Sequence, residues 1–256
     1  MHGEGVDRGP EATRARAVLS RRAWMTGAAA LLGGCATARR PSRVRLDQPA
    51  TAWRRDLHEM IDVVVERHVA PFHGTSEAQL QAQVSEVEAR LPDLSAVERV
   101  VAFSMLLASV GDAHTRLETP AEVLGPRLPL ATRSFSDGVY VIAAHHAHLE
   151  LLGTRVLDVE GQPLDRALRA VEPMVSADTV HGRRAEAATL LGFPQVLHAC
   201  GLTRGPKGAR LLLQHGSGAA RERGLLAVDS PGTASWVTVG QQWNPRPLAE
   251  RNPRRH

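Results

Sequence analysis

The chain has few aromatic residues, and almost all of its positive charge comes from arginine. Phenylalanine, tryptophan and tyrosine make up only 4% of its 256 residues, which argues against the aromatic stacking surfaces that bind single-stranded nucleic acid. The net charge is +4, and the arginines are concentrated towards the two ends of the chain, whereas a nucleic-acid-binding domain presents a basic stripe on one face. Nucleic acid is therefore not an expected partner.

The chain has two cysteines, Cys35 and Cys200, too few for a disulfide framework. Residues 196–201, VLHACG, are typical of a helix that ends at a glycine, so we interpret Cys200 as a small buried apolar residue rather than a reactive thiol. The hydrophobic content of 43% is ordinary for a globular protein.

The first 35 residues resemble a bacterial export signal. The arginine pair Arg21 and Arg22 stands just before an apolar run at residues 27–32, which resembles a twin-arginine signal and is too short to span a bilayer. Residues 32–35, LGGC, resemble a lipobox, in which the thiol of Cys35 takes a diacylglycerol. We therefore expect an exported lipoprotein of the cell envelope, anchored to a membrane and facing the periplasm or the exterior. A start at Met25 would remove the signal, and a buried amphipathic helix is the alternative interpretation.

Residues 36–52 are rich in arginine, proline and small residues and are predicted to be a tether. The pattern that follows predicts three helices within residues 53–119. In the first, which runs from Trp53 to about Ala70 and ends at Pro71, the apolar side chains recur at helical spacing. The second is capped at residues 75–77, and the third starts at a capping box formed by Ser95 and Glu98 and ends at a glycine. The face of the first helix predicted to be buried consists of Leu57, Met60, Ile61, Val64, Val65 and Val69.

Beyond residue 120 the pattern changes to strands and turns. A strand, a turn with glycine, a second strand and a short helix give the layout of a PDZ-like module. The sequence thus predicts an α+β protein, with a helical bundle at residues 53–119, a PDZ-like, β-rich region at residues 120–243 and a polar tail at residues 244–256. Strands are predicted at 139–143, 154–159, 210–214, 224–228 and 236–239, and helices at 164–171 and 185–202, the second interrupted at 192–194.

Residues 110–115, VGDAHT, follow the predicted bundle, and this order resembles the front half of the tail-specific, or C-terminal-processing, serine peptidases, especially their tricorn-core-like members. Residues 134–141, 152–157 and 247–253 resemble further segments of that family. The resemblance implies a serine hydrolase that acts on polypeptides without a cofactor. It also implies a serine in a crotonase-like domain after the PDZ-like region, and we expect this chain to lack that domain.

In the tricorn-like branch, the resemblance maps the catalytic histidine onto His114, which Asp112 would orient. Imidazole suits this role because a serine hydroxyl becomes a good nucleophile only when a base of near-neutral pKa takes its proton. The alternative is structural, because residues two apart on a turn often cap a helix end or bind the backbone. In the lysine branch the sole lysine, Lys207, would be the base, but its glycine-rich loop argues against that role.

No G-x-S-x-G elbow is present. Ser217 lies between glycines and close to His215, a setting that suggests a nucleophile but is more typical of a hairpin turn. The chain is therefore expected to be inactive alone.

Twelve histidines are present, and residues 145–148, HHAH, form the densest group. On a strand, His146 and His148 would face the same way and would bind zinc or copper if a third ligand such as His114 or Asp112 approached. Two histidines at the end of a strand more often belong to a solvated turn, and no metal or cofactor is assigned.

Several functions remain open at this stage. The first is a truncated or frameshifted peptidase, which the polar ending at residues 252–256 favours. The second is a peptide-binding envelope lipoprotein that adds extended peptides to a sheet edge, and the third is a purely structural envelope lipoprotein. The expected partners are a polypeptide substrate or peptide ligand and, through the lipid, a membrane.

The lipid anchor gives the first testable prediction. Replacing Cys35→Ala should move the protein from the membrane fraction to the soluble fraction, because the lipid has no other thiol at this position to join. The matched control is Cys200→Ala, which should stay with the membranes. Unchanged sedimentation of Cys35→Ala would contradict lipidation.

Overall fold

The computed structural model describes residues 46–119, 123–229 and 235–240. It confirms the predicted α+β class, with three helices followed by an antiparallel sheet that carries further helices. The described residues include no crotonase-like catalytic domain. Arg21, Arg22, Cys35, the predicted tether up to residue 45 and the predicted tail lie outside the described residues, so those assignments stay predictions. No helix in the described ranges is both long and apolar enough to cross a membrane.

The first three helices are α1 (Ala50–Arg67), α2 (Glu77–Arg90) and α3 (Ala96–Ser109). The predicted capping box at α3 is confirmed, since the Ser95 N–H donates to Glu98 Oε2 at 2.7 Å and the Glu98 N–H donates to Ser95 Oγ at 3.3 Å. Ser76 and Gln79 form a second capping box at α2. Each box satisfies backbone donors that a helix start would otherwise leave unpaired.

Helix α3 is buried on more than one side. Its buried residues include Phe103, Leu106 and Leu107, because α3 packs against α2 on one side and against later parts of the chain on others. Trp53 of α1 meets Phe103 edge to face, with ring centroids 5.7 Å apart. This packing makes α3 the central helix of the first core.

The predicted end of α1 is wrong. The helix stops at Arg67, because His68 takes an extended backbone conformation and its ring binds outside the helix. Val69, predicted to be buried, is consequently 98% exposed. Val65 is also exposed, at 40%, whereas Leu57 and Ile61 are buried as predicted.

The strands of the described residues are β1 (Leu130–Phe135), β2 (Gly138–His145), β3 (Thr154–Val159), β4 (Gln162–Pro163), β5 (Gly208–His215), β6 (Arg221–Leu226) and β7 (Trp236–Thr238). They form an antiparallel sheet with the strand order β1-β2-β3-β5-β6. The short strands β4 and β7 pair with β3 and β2 respectively. Strand β1 was not predicted, since its sequence LATRSF lacks a regular apolar alternation.

Three helices pack with the sheet around a second core: α4 (Leu164–Val171), α5 (Val180–Leu190) and α6 (Pro194–Ala199). The predicted interruption at 192–194 separates α5 from α6. Pro194 is the first residue of α6, a position at which the helix does not use the N–H that proline lacks. Cys200 ends α6 and is partly buried, and burial raises the pKa of its thiol to about 12. This agrees with its interpretation as an unreactive apolar residue.

A close backbone contact joins the loop between α1 and α2 to the end of α3. The Gly74 N–H donates to the Val110 carbonyl at 2.8 Å. A Cβ on Gly74 would lie 2.7 Å from the Ser109 carbonyl oxygen and 2.8 Å from that of Val110. Only glycine allows this approach without moving one of the two backbones.

The Gly74 contact predicts that Gly74→Ala lowers the free energy of unfolding by about 1 to 3 kcal/mol, because the new methyl group meets backbone oxygens that cannot turn aside. Urea denaturation measures this change. The control is Gly205→Ala, where a Cβ would meet nothing within 4 Å and stability should change by less than about 0.5 kcal/mol. Equal effects of the two substitutions would contradict the prediction.

Candidate functional site

The motif predicted to be catalytic lies at the end of α3. Gly111 has φ +83°, a left-handed conformation that ends the helix and that side-chain-bearing residues rarely adopt. Its N–H still donates to the Ala108 carbonyl, at 3.1 Å. The chain then turns away from the helix axis and places Asp112, His114 and Thr115 in one tight turn.

The Asp112 carboxylate is the centre of this turn. Its Oδ2 accepts a hydrogen bond from the Thr115 hydroxyl at 2.7 Å and lies 3.1 Å from His68 Nε2. Its Oδ1 accepts from the His114 backbone N–H at 3.1 Å. The Thr115 hydroxyl, then the His114 N–H and then His68 hold the pKa of Asp112 well below its usual range. Asp112 is therefore ionised throughout the physiological pH range.

His68 acts as a fixed donor to this carboxylate. The Ala70 N–H donates to His68 Nδ1 at 3.0 Å, so Nδ1 is the unprotonated ring nitrogen. The hydrogen of the neutral ring is then on Nε2, which donates to Asp112. Both ring nitrogens of His68 are thus occupied, and only 16% of its side chain is exposed. This histidine positions Asp112 and has no nitrogen left for a substrate.

His114 is in the opposite situation. Its Nδ1 lies 3.3 Å from Asp112 Oδ1, and its side chain is 89% exposed. Within the described part of the chain, Nε2 of His114 has no hydrogen-bond partner. One ring nitrogen therefore faces a carboxylate while the other is open, which is the arrangement a general base requires.

Two hydrogen bonds connect the motif to the loop that precedes α5. The Ala113 N–H donates to Asp178 Oδ1 at 2.8 Å, and the Ser176 hydroxyl donates to the Thr115 carbonyl at 2.8 Å. Sequence reasoning missed His68, Ser176 and Asp178, which are 44 to 65 residues from the atoms they bind. At such separations no local pattern reveals a contact, although Thr115 was part of the recognised motif.

The other candidate nucleophile, Ser217, and the other candidate base, Lys207, do not lie in a comparable site. Ser217 is exposed at the tip of the β5–β6 hairpin, next to Gly216 with φ +53°. Lys207 is exposed in the turn before β5. Among the described residues, no serine hydroxyl donates to a histidine ring. The geometry thus gives Ser217 the role of a turn residue.

The predicted arrangement of the histidine cluster is wrong. His145 is the last residue of β2, but His146 and His148 lie in a 3₁₀ helix (His146–Leu151), so the two side chains do not share a strand face. The rings of His145 and His146 have centroids 4.2 Å apart, and His148 Nδ1 lies 3.6 Å from Glu150 Oε1. In residues 46–119, 123–229 and 235–240, no group of three His, Cys, Asp or Glu side chains is arranged to hold a metal ion.

A groove of about 480 Å³ runs beside His114, between α1 and the segment that follows the motif. We call it the His114 groove. It is lined mainly by apolar side chains, with charged residues at its rim. The lining residues are Asp56, Glu59, Met60, Val63, Val64, Leu107, His114, Thr115, Arg116 and Leu117.

No protein-family model matches the chain, and no curated protein matches its sequence. A solved structure of mature CPAF complexed with lactacystin is similar to it, with a TM-score of 0.50, 13% identity and coverage of 69% of this chain and 34% of that chain. A second structure, of mature CPAF, gives a TM-score of 0.44, 14% identity and coverage of 72% and 36%. CPAF is a chlamydial serine protease of the tail-specific family. The first of these structures shows that the chain shares a fold with part of CPAF. The chain covers about a third of the length of each.

The Thr115 hydrogen bond gives a prediction on pH dependence. An unfolded aspartate titrates near pH 4, and folded Asp112 titrates below that. The stabilisation of the folded protein by this hydrogen bond is therefore present above about pH 4. It is lost as the pH falls towards the pKa of Asp112 in the folded protein. Thr115→Val removes the largest cause of the lowered pKa of Asp112, so the variant should be less stable than the wild-type protein at pH 7. The gap between their free energies of unfolding should narrow as the pH falls from about 5 to about 2.

Urea unfolding at a series of pH values measures that gap. The control is Thr189→Val, whose hydroxyl donates to the Glu186 carbonyl of its own helix, and which should change stability equally at every pH. If the Thr115→Val gap is also constant with pH, the hydroxyl does not stabilise the ionised carboxylate.

Proposed function

We propose that this chain is the front part of a serine peptidase of the tail-specific type, from the tricorn-core-like branch. In this proposal it presents His114 as the general base to a serine carried by a domain outside the described residues. The observation that carries the proposal is the contrast at His114, whose Nδ1 faces Asp112 while Nε2 is open. The fold shared with part of a serine protease supports it.

The chemistry follows from that geometry. With its hydrogen on Nδ1, directed at Asp112, the ring has a lone pair on Nε2 for the proton of a serine hydroxyl. As the serine oxygen attacks a peptide carbonyl, that proton moves to Nε2, and the imidazolium later gives it to the leaving amine. Because Asp112 stays ionised, it stabilises the positive ring that forms between these steps. His68 and Thr115 hold the carboxylate in place throughout.

This proposal includes the location and the partners that the sequence predicts. The chain would be exported, anchored through a lipid on Cys35, and would act on polypeptides in the cell envelope. Alone it would be inactive, because a base without a nucleophile cannot form an acyl-enzyme.

A second candidate is a peptide-binding envelope lipoprotein without catalysis. Among the described residues, β6 has only β5 as a neighbouring strand, so its outer edge is open. The opposite edge strand, β1, is covered by α5, where the Thr132 hydroxyl donates to the Ala188 carbonyl at 2.6 Å. An extended peptide would add to β6 by backbone hydrogen bonds.

Reconstitution tests the first candidate. The full chain is mixed with a serine-bearing, crotonase-like domain encoded next to it in its genome, and peptide hydrolysis and labelling by a fluorophosphonate are measured. We expect neither with the chain alone and both with the mixture. His114→Gln should lower hydrolysis by about 10² to 10⁴, the usual contribution of a general base. Asp112→Asn should also lower it, because the ring loses its orienting carboxylate.

The matched control is His181→Gln, an exposed histidine at the start of α5, which should leave hydrolysis unchanged. Full activity of His114→Gln in the mixture would overturn the proposal, and so would the absence of any such serine domain from the genome. Peptide binding without hydrolysis would favour the second candidate.

A further inference from the structure

The floor of the His114 groove is formed by apolar side chains from two helices and the segment after the motif. Val64 and Leu107 are buried and form a small core cluster with Val110, and Met60 and Leu117 pack against it. Val63 stands at the edge with 44% of its surface exposed. These side chains give a bound peptide an apolar surface on which its own apolar side chain can pack.

The rim of the groove is negatively charged. Glu59 forms no ion pair within the described residues, and the nearest cation to Asp56 is Arg55, at 3.7 Å. Arg116, on the opposite side, is already paired with Glu118 at 2.8 Å. The one remaining ionisable group of the lining is His114, so the uncompensated charge of the groove is acidic.

Next to the groove, α1 carries two more acidic residues on a surface that also holds Arg54, Arg55 and His58. Asp62 and Glu66 are exposed in the next turns of the helix and, within the described ranges, also form no ion pair. At 1.5 Å per residue, Glu59 and Glu66 are about 10 Å apart along the helix axis, which is the length of about three residues of extended chain. The row therefore matches a short extended peptide better than a single small molecule.

We propose that the His114 groove binds a segment of polypeptide substrate in which an apolar side chain lies next to lysine or arginine. The apolar side chain would lie on Met60 and Val63, and the basic side chain would pair with Glu59 or with the next acid along α1. This inference rests on the proposed function only in its consequence, which is that the bound segment lies beside the base. Binding itself needs no nucleophile.

The test is binding of fluorescein-labelled peptides to the full chain, measured by fluorescence anisotropy. The probe peptide alternates leucine with arginine, and two comparison peptides replace either the arginines by glutamate or the leucines by serine. We expect the probe to bind at least about tenfold more tightly than either comparison peptide, because each loses one of the two interactions. Added salt should weaken its binding, since the ion pairs are exposed.

Two substitutions locate the site. Val63→Ser and Glu59→Lys should each weaken binding of the probe peptide at least about tenfold. The matched controls are Val180→Ser, at a valine that is 79% exposed on α5, and Glu86→Lys, at a glutamate that is 71% exposed on α2. Circular dichroism checks that all four variants are folded. If the controls weaken binding as much as the groove variants, or if all three peptides bind equally, the proposal is wrong.

Binding to the chain alone separates this inference from the proposed function, because it is measured without a nucleophile. The chain alone should bind the probe peptide, whereas hydrolysis in the reconstituted mixture should be lost in His114→Gln. Binding at the groove together with hydrolysis that does not need His114 would overturn the proposed function alone. Hydrolysis that needs His114, with no binding at the groove, would overturn the inference alone.

Discussion

The Asp112 carboxylate is the interaction on which the candidate site depends. It accepts hydrogen bonds from the hydroxyl of Thr115, the backbone of His114 and the ring of His68, which comes from the end of α1. A carboxylate has lone pairs on two oxygens, so one side chain satisfies all these donors and still faces the His114 ring. The turn after α3 is thereby joined to α1, and Asp178 and Ser176 join the same turn to the loop before α5.

Two histidines contact this one carboxylate, and their surroundings give them different roles. His68 uses both ring nitrogens within the protein and is mostly buried, whereas His114 uses one and is 89% exposed. Only the second can take a proton from an approaching group. In the proposed peptidase another surface would cover His114, since acid–base catalysis is most effective where water is excluded. The open apolar groove beside it is consistent with that requirement.

The fold shared with part of CPAF and the geometry of the motif are independent lines of support for the proposed function. At 13% identity the likeness shows how helices and strands are arranged and assigns no residue a role. The roles come from distances within this chain: one carboxylate, one fixed histidine and one open histidine. In the proposed peptidase, residues from outside the described ranges would complete the site.

The sequence by itself determined the features that depend on residues a few positions apart. The capping box of Ser95 and Glu98 and the end of α3 at Gly111 follow from local hydrogen bonds and backbone preferences, and both were predicted. The tertiary structure alone decided that α1 ends at Arg67, that β1 forms an edge of the sheet and that His146 lies in a 3₁₀ helix. It also decided that His68 binds Asp112 across 44 residues of sequence. Such pairings depend on which surfaces the packed helices and strands bring together, and residues so far apart in the chain have no local pattern that specifies them.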